Sequence, residues 1–215
     1  MAMTQHERRI LDRYEIDTLG APFKVTLLDC VTMHGVDSKT GENKINVPNL
    51  SGLIGAVVRA RVSHPRKLNG KEIKFVRNAL GLKANQVAKF LEMGPEHFSR
   101  CEAGTKVMAL TSEKLFRLFA YLATYFADPQ ETLAKIIAGQ AKLTSDLEMK
   151  ANKPDEMARK FIEQFLMIKI QSVFDPTELH FEFRRMVPND PTACGHQLDE
   201  SDEWEEPPQP IAACG

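Results

Sequence analysis

Two cysteine–histidine pairs have spacings that metal chemistry could use. Cys30-x-x-x-His34 and Cys194-x-His196 could each offer two ligands to zinc. Neither spacing is that of a zinc finger, and the other thiols, Cys101 and Cys214, stand alone, so reduced cysteines and no bound metal or cofactor are the expectation. His6, His64, His97 and His180 are scattered, with no His-x-x-x-His pair. The chain has no G-x-S-x-G, no P-loop and no G-x-G-x-x-G, so catalysis is not expected.

The richer polar set lies in "NQVAKFLEMGPEHFSRCEAG", residues 85–104. Glu92-Met93-Gly94-Pro95 predicts a sharp corner between two short helices, with Pro95 at the first position of the second, where a missing N–H costs nothing. Val87, Leu91, Met93 and Phe98 are spaced to fill the wedge, and Ala88 is small enough for a close crossing. Glu96, His97, Ser99 and Arg100 are left for solvent or a partner. Upstream, Asn69 and Glu72 make a capping box, Ile73, Val76 and Leu80 an apolar stripe, and Gly81 a stop.

The flanking chain must hold this corner. Residues 1–17 have the spacing of a short amphipathic helix. "FKVTLLDCVTMHGV" (23–36), the turn "DSKTGEN" and "INVP" predict a hairpin, and 49–63 a helix ended by His64-Pro65. A helix over 112–127 would turn Leu115, Leu118, Phe119 and Leu122 inward, and another would follow Asp128-Pro129, bent near Gly139. Residues 154–173 predict a helix with Phe161, Phe165 and Ile168 on one side; "ELHFEFRRMV" alternates as a strand. The Pro- and acid-rich chain from Pro188 reads as disordered. The expected organisation is an α+β region over 1–64, a helical domain over 65–127, a helix–strand region over 128–187 that could dimerise, and a tail over 188–215.

Charge is unevenly placed in a chain of 215 residues with formal net charge −1. Eleven basic residues against five acids lie between Arg66 and Arg117, while Asp199, Glu200, Asp202, Glu203, Glu205 and Glu206 crowd the tail. A basic middle favours a polyanionic partner. No stretch has the roughly 18 apolar residues of a membrane span, and no export signal opens the chain, so a cytoplasmic location is expected.

"RNALGLKANQVAKFLEMGPEHFSRCEAG" resembles the helix-turn-helix of the Cro/C1-type (XRE) regulators, through Arg77, Gly81, Leu82, Ala88, Leu91, Ser99, Arg100, Glu102 and Gly104. The hairpin, "LNGKEIKFVRNALGL" and "FSRCEAG" also resemble the MqsA/YgiT-type antitoxin regulators. The resemblance implies a mainly α protein with a small β element: a lambda-repressor-like helix-turn-helix flanked by the hairpin region and the C-terminal helix–strand segment. It implies a homodimer on a double-stranded operator, reading bases through Pro95, Glu96 and Arg100. Lys83, Asn85, His97, Ser99, Thr105 and Lys106 would meet the sugar-phosphate backbone. Arg77 and Glu102 stand where the family has an internal ion pair.

Four positions depart from the family's pattern. Glu92 stands for a corner glycine and Ala84 for a glutamine that braces on DNA. Gly94 stands for a Ser or Thr cap, and Cys101 for a larger apolar residue. The zinc cysteine pairs of the antitoxin type are missing, with only Cys30 in the comparable region. The alternative expectation is an antitoxin or adaptor that binds a protein partner, a toxin among the candidates, with the helix-turn-helix as scaffold.

Overall fold

The computed structural model describes residues 9–36, 43–139, 165, 169–171, 174, 175, 177–185, 204, 205 and 207. Among these the chain is mainly α-helical with a smaller, mixed β-sheet: six helices and five strands. It divides into two compact units, Met1–Val57 with Glu178–Pro207, and Val58–Thr177 with Pro208–Gly215. Within the described residues no helix is long and apolar enough to cross a membrane.

In the first unit β2 (Lys24–Val36) is central. It pairs antiparallel with β1 (Arg9–Glu15) and β3 (Asn43–Asn46), and parallel with β4 (His180–Arg185). β5 (Trp204–Glu205) pairs antiparallel with β4. The expected hairpin is therefore present as β2 and β3, while its turn lies outside the described residues. Two expectations need correction. Residues 9–15 are a strand rather than part of a helix, because pairing along β2 outweighs a helical spacing of apolar residues that is weak over so short a run. Trp204 and Glu205, in the tail expected to be disordered, are ordered. The indole of Trp204 is buried, donates to Asn49 O at 3.1 Å, and has the Arg185 guanidinium 5.5 Å from its centroid.

Opposite the single residue Asp12, β2 places two, Asp29 and Cys30, with Asp29 at φ 54°. This is a β-bulge that changes which side chains face inward along the strand. β4 alternates as its sequence predicts, burying Phe181 and Phe183, and Phe181 meets Phe23 edge-on with centroids 5.3 Å apart.

The second unit takes up the C-terminal part of α1 (Leu50–Ser63) from Val58 onward, followed by α2 (Gly70–Ala79), α3 (Ala84–Phe90), α4 (Pro95–Glu102), α5 (Leu110–Ala123) and α6 (Pro129–Ile137). Its core combines Val58, Val62, Leu68, Ile73, Val76, Leu82, Val87, Phe98, Phe116, Phe119 and Leu133 with an unexpected set of buried charges. Arg61 forks onto Glu72, with Nε and Nη2 each 2.8 Å from a carboxylate oxygen, and donates to Arg66 O and Lys67 O at 3.1 Å. Glu113 accepts from Arg117, from Lys67 Nζ at 2.9 Å and from Leu68 N at 2.9 Å. Arg117 also donates to the carbonyls of Val62, His64 and Arg66. The two guanidiniums thus satisfy the carbonyls of Val62, His64, Arg66 and Lys67, while Pro65 O accepts from Gln171 N at 2.9 Å. Each carboxylate in turn has several donors, which a buried charge requires.

This cluster rotates α5 from the expected face. Phe119 is buried as expected, but Glu113, Phe116, Arg117 and Ala120 are buried with it, Leu115 is 38% exposed, and Leu118 and Leu122 are half-buried. α6 ends at Ile137 with Ala138 as its cap and Gly139 at φ 66°, and the remainder of the helix expected beyond Gly139 lies outside the described residues. Of the 154–173 helix, only residues 165 and 169–171 are described.

Candidate nucleic-acid interface

The corner is built from three helix ends of one kind. α2 closes with Gly81 N to Asn78 O and Leu82 N to Arg77 O, both 3.0 Å, around Gly81 at φ 67°. α3 closes with Glu92 N to Lys89 O at 3.1 Å and Met93 N to Ala88 O at 3.0 Å. α4 closes with Gly104 N to Cys101 O at 3.1 Å and Thr105 N to Arg100 O at 3.0 Å, around Gly104 at φ 74°. Each is a Schellman motif, which needs a left-handed residue just past the helix. Two use glycine; the middle one uses Glu92 at φ 53°.

Gly94 then takes extended φ and ψ as the cap of α4, offers no side chain to the first turn, and Pro95 opens the helix. Val87, Ala88, Leu91 and Phe98 are buried, as their spacing predicts, Met93 is only half-buried, and Cys101 is buried as well. Burial raises the Cys101 thiol above its usual range, in keeping with an inert core residue.

Pro95, Glu96, His97, Ser99 and Arg100 are all exposed on α4, and Lys83, Asn85, Thr105 and Lys106 are exposed at the start of α3 and after α4. Pro95, Glu96, Ser99 and Arg100 follow the spacing of one helical face, and His97 lies beside it. Thr105 Oγ1 donates to Arg100 O at 3.2 Å, so that hydroxyl already takes part in closing the helix. Lys83 N donates to Gln130 Oε1 at 2.8 Å, which places α6 against the beginning of α3. Arg77 and Glu102 meet at 2.6 and 3.2 Å, and Arg77 Nη1 donates to Leu82 O at 2.9 Å. The pair ties α2, the next turn and the end of α4 together.

The buried network changes the charge count drawn from sequence. Arg66, Lys67 and Arg117 are withdrawn from the surface with Glu72 and Glu113, and Arg77 and Glu102 are largely covered. Between Arg66 and Arg117, seven cations remain exposed: Lys71, Lys74, Lys83, Lys89, Arg100, Lys106 and Lys114. Only Glu92 and Glu96 are exposed acids there. Burial thus keeps the positive excess on the surface, which is where a polyanion would feel it.

Of the two metal candidates, only Cys30 and His34 are among the described residues. Cys30 is buried, and loss of solvation pushes its thiol up to about 11, which opposes the thiolate a metal needs. Cys194 and His196 lie outside the described residues. Among the described residues no group of three or more His, Cys, Asp or Glu side chains is placed to hold a metal ion. Comparison with protein-family models, with curated proteins and with solved structures finds no match.

Proposed function

We propose that the chain is a sequence-specific, double-stranded DNA-binding regulator of the Cro/C1-type (XRE) kind. The lambda-repressor-like helix-turn-helix is α3–α4 with α2 and α5 around it. The observation that carries the reading is the α3–α4 corner: a tight turn, Pro95 opening α4, and one face of that helix exposed within a cationic surface. In this reading α4 enters the major groove while α3 crosses the backbone. Arg100 donates two bonds to guanine O6 and N7, and Glu96 accepts from cytosine N4. Lys83, Asn85, His97, Ser99, Thr105 and Lys106 hold the register on sugar and phosphate. One such module reads few base pairs, so the protein acts as a homodimer on a palindromic operator, in the cytoplasm, as a repressor that occludes it.

A second reading, an antitoxin or adaptor, draws support from the sheet. Ile45 on β3, opposite Met33, is 40% exposed, and Ile10 on β1, opposite Thr32 and so on the other face of the sheet, is 53% exposed. A protein partner would cover one of these faces.

Binding of the purified protein to the DNA upstream of its own gene, at two salt concentrations, tests the first reading. Sequence-specific retention that Arg100→Ala abolishes, with the helical content unchanged, is the expected result. Equal weak binding to any duplex would leave the second reading.

A further inference from the structure

We propose that Gly70 is a positioning residue for the reading helix: its bare Cα lets α2 seat against the backbone of the last turn of α4 and so fixes where Arg100 points. The inference rests on the DNA-binding reading above. A Cβ at Gly70 would stand 2.5 Å from Cys101 O, 2.5 Å from Glu102 O and 2.7 Å from Gly104 N. All three are backbone atoms, so no side chain can swing away, and α2 and α4 would have to part.

Neither helix is free to yield. On the α2 side, Asn69 and Glu72 close the capping box, and Glu72 is forked onto the buried Arg61. On the α4 side, Cys101 O already accepts from Gly104 N, the Cys101 side chain is buried, and Glu102 is held by Arg77. Arg100 precedes Cys101, and its own carbonyl accepts from Thr105 N and Lys106 N in the same closing turn. A displacement forced at Cys101 and Glu102 therefore passes directly to the base-facing arginine. Gly70 would touch no DNA.

The test is a double-mutant cycle of Gly70→Ala with Arg100→Ala. Binding would be measured on a duplex selected from a randomised pool by the wild-type protein, and on an unrelated duplex, with urea unfolding of every variant. Arg100→Ala should cost about 5- to 100-fold on the selected duplex, the range of one bidentate base contact. Gly70→Ala should lose a comparable factor there and less than about twofold on the unrelated duplex, where phosphate charge dominates. In the Gly70→Ala background, Arg100→Ala should then cost less than about twofold, because the base contact is already broken. Equal losses from Arg100→Ala in both backgrounds would overturn the inference, since a purely structural glycine predicts additivity. Should Gly70→Ala fail to fold, Arg77→Lys takes its place, loosening the other hold of α2 on the end of α4, with the same two outcomes. A pool from which the wild type enriches no sequence overturns the DNA-binding reading itself, and this inference with it.

Discussion

Glu72 Oε2 lies 2.8 Å from Arg61 Nη2 and 2.7 Å from Asn69 N, so one carboxylate oxygen serves a buried ion pair and a helix cap together. Both side chains of the pair are out of solvent, at 0% and 5% exposure. α2 is thus anchored at its first turn to α1, and α2 is the helix against which the end of α4 rests.

Arg61→Ala should destabilise the second unit by about 3–5 kcal/mol, because it leaves the Glu72 charge buried without its guanidinium and takes the donor from Lys67 O, while Arg66 O keeps Arg117. Urea unfolding followed by far-UV circular dichroism measures this. Arg61→Ala combined with Glu72→Ala should cost clearly less than the two single losses added together. Additive losses would mean that the two groups do not act as a pair.

Glu92→Gly should stabilise the protein by on the order of 1 kcal/mol, since Glu92 holds φ 53° at a helix end where Gly81 and Gly104 hold the same conformation without a Cβ. The urea midpoint should rise with the slope unchanged. Gly81→Ala provides the reverse test. Nothing lies within 4 Å of a Cβ added there, so a loss of about 1 kcal/mol would come from backbone strain alone.

The corner is legible in sequence because its causes are local. A capping box, a proline at the first helical position and glycines just past two helix ends each act within a few residues. The strand at Arg9–Glu15 is not legible in the same way, because Ile10, Leu11 and Tyr14 suit a helical stripe and only the partner strand decides between the two. The parallel pairing of β2 with β4 joins residues more than 150 apart in the chain, such as Lys24 and His180, and no local signal marks it. Nor do Glu113 and Arg117 stand out, since charges four apart on a helix ordinarily face water. The loop after α1 draws them inward, because its carbonyls at Val62, His64 and Arg66 need donors; His64-Pro65 marks that loop but not its partners.

His64 makes stability fall on acidification. Burial, and then the neighbouring Arg61, Arg66 and Arg117, lower its pKa to about 4, and its Nδ1 accepts from Arg66 N at 3.2 Å. The unfolded chain binds the proton near pH 6.5. Between these values the unfolded state carries more protons, so the contribution is complete above about pH 6.5 and lost as pH falls toward 4. Discounted for the partial exposure of the ring, it is on the order of 1 kcal/mol. His64→Asn keeps an acceptor for Arg66 N and removes the titration. Urea unfolding at pH 7.5 and pH 5 should show the wild type losing more stability than the variant; equal losses would exclude His64 as the cause.

The exposed cations and the reading arginine should separate in their dependence on salt. Lys106 carries one of the seven exposed positive charges between Arg66 and Arg117 and stands just past α4, where the chain would meet phosphate rather than a base. Lys106→Gln should weaken binding to all duplexes alike and reduce the slope of log K against log salt by about 1, the value for a single phosphate neutralised by a lysine. Arg100→Ala should leave the affinity for unrelated duplexes nearly unchanged and relax the preference at one base pair, at a cost of about 1–3 kcal/mol on the preferred sequence. Titrations at four salt concentrations on matched and single-mismatch duplexes distinguish the two. A base preference that survives Arg100→Ala would move the reading to other side chains of α4, with Glu96 the first to replace.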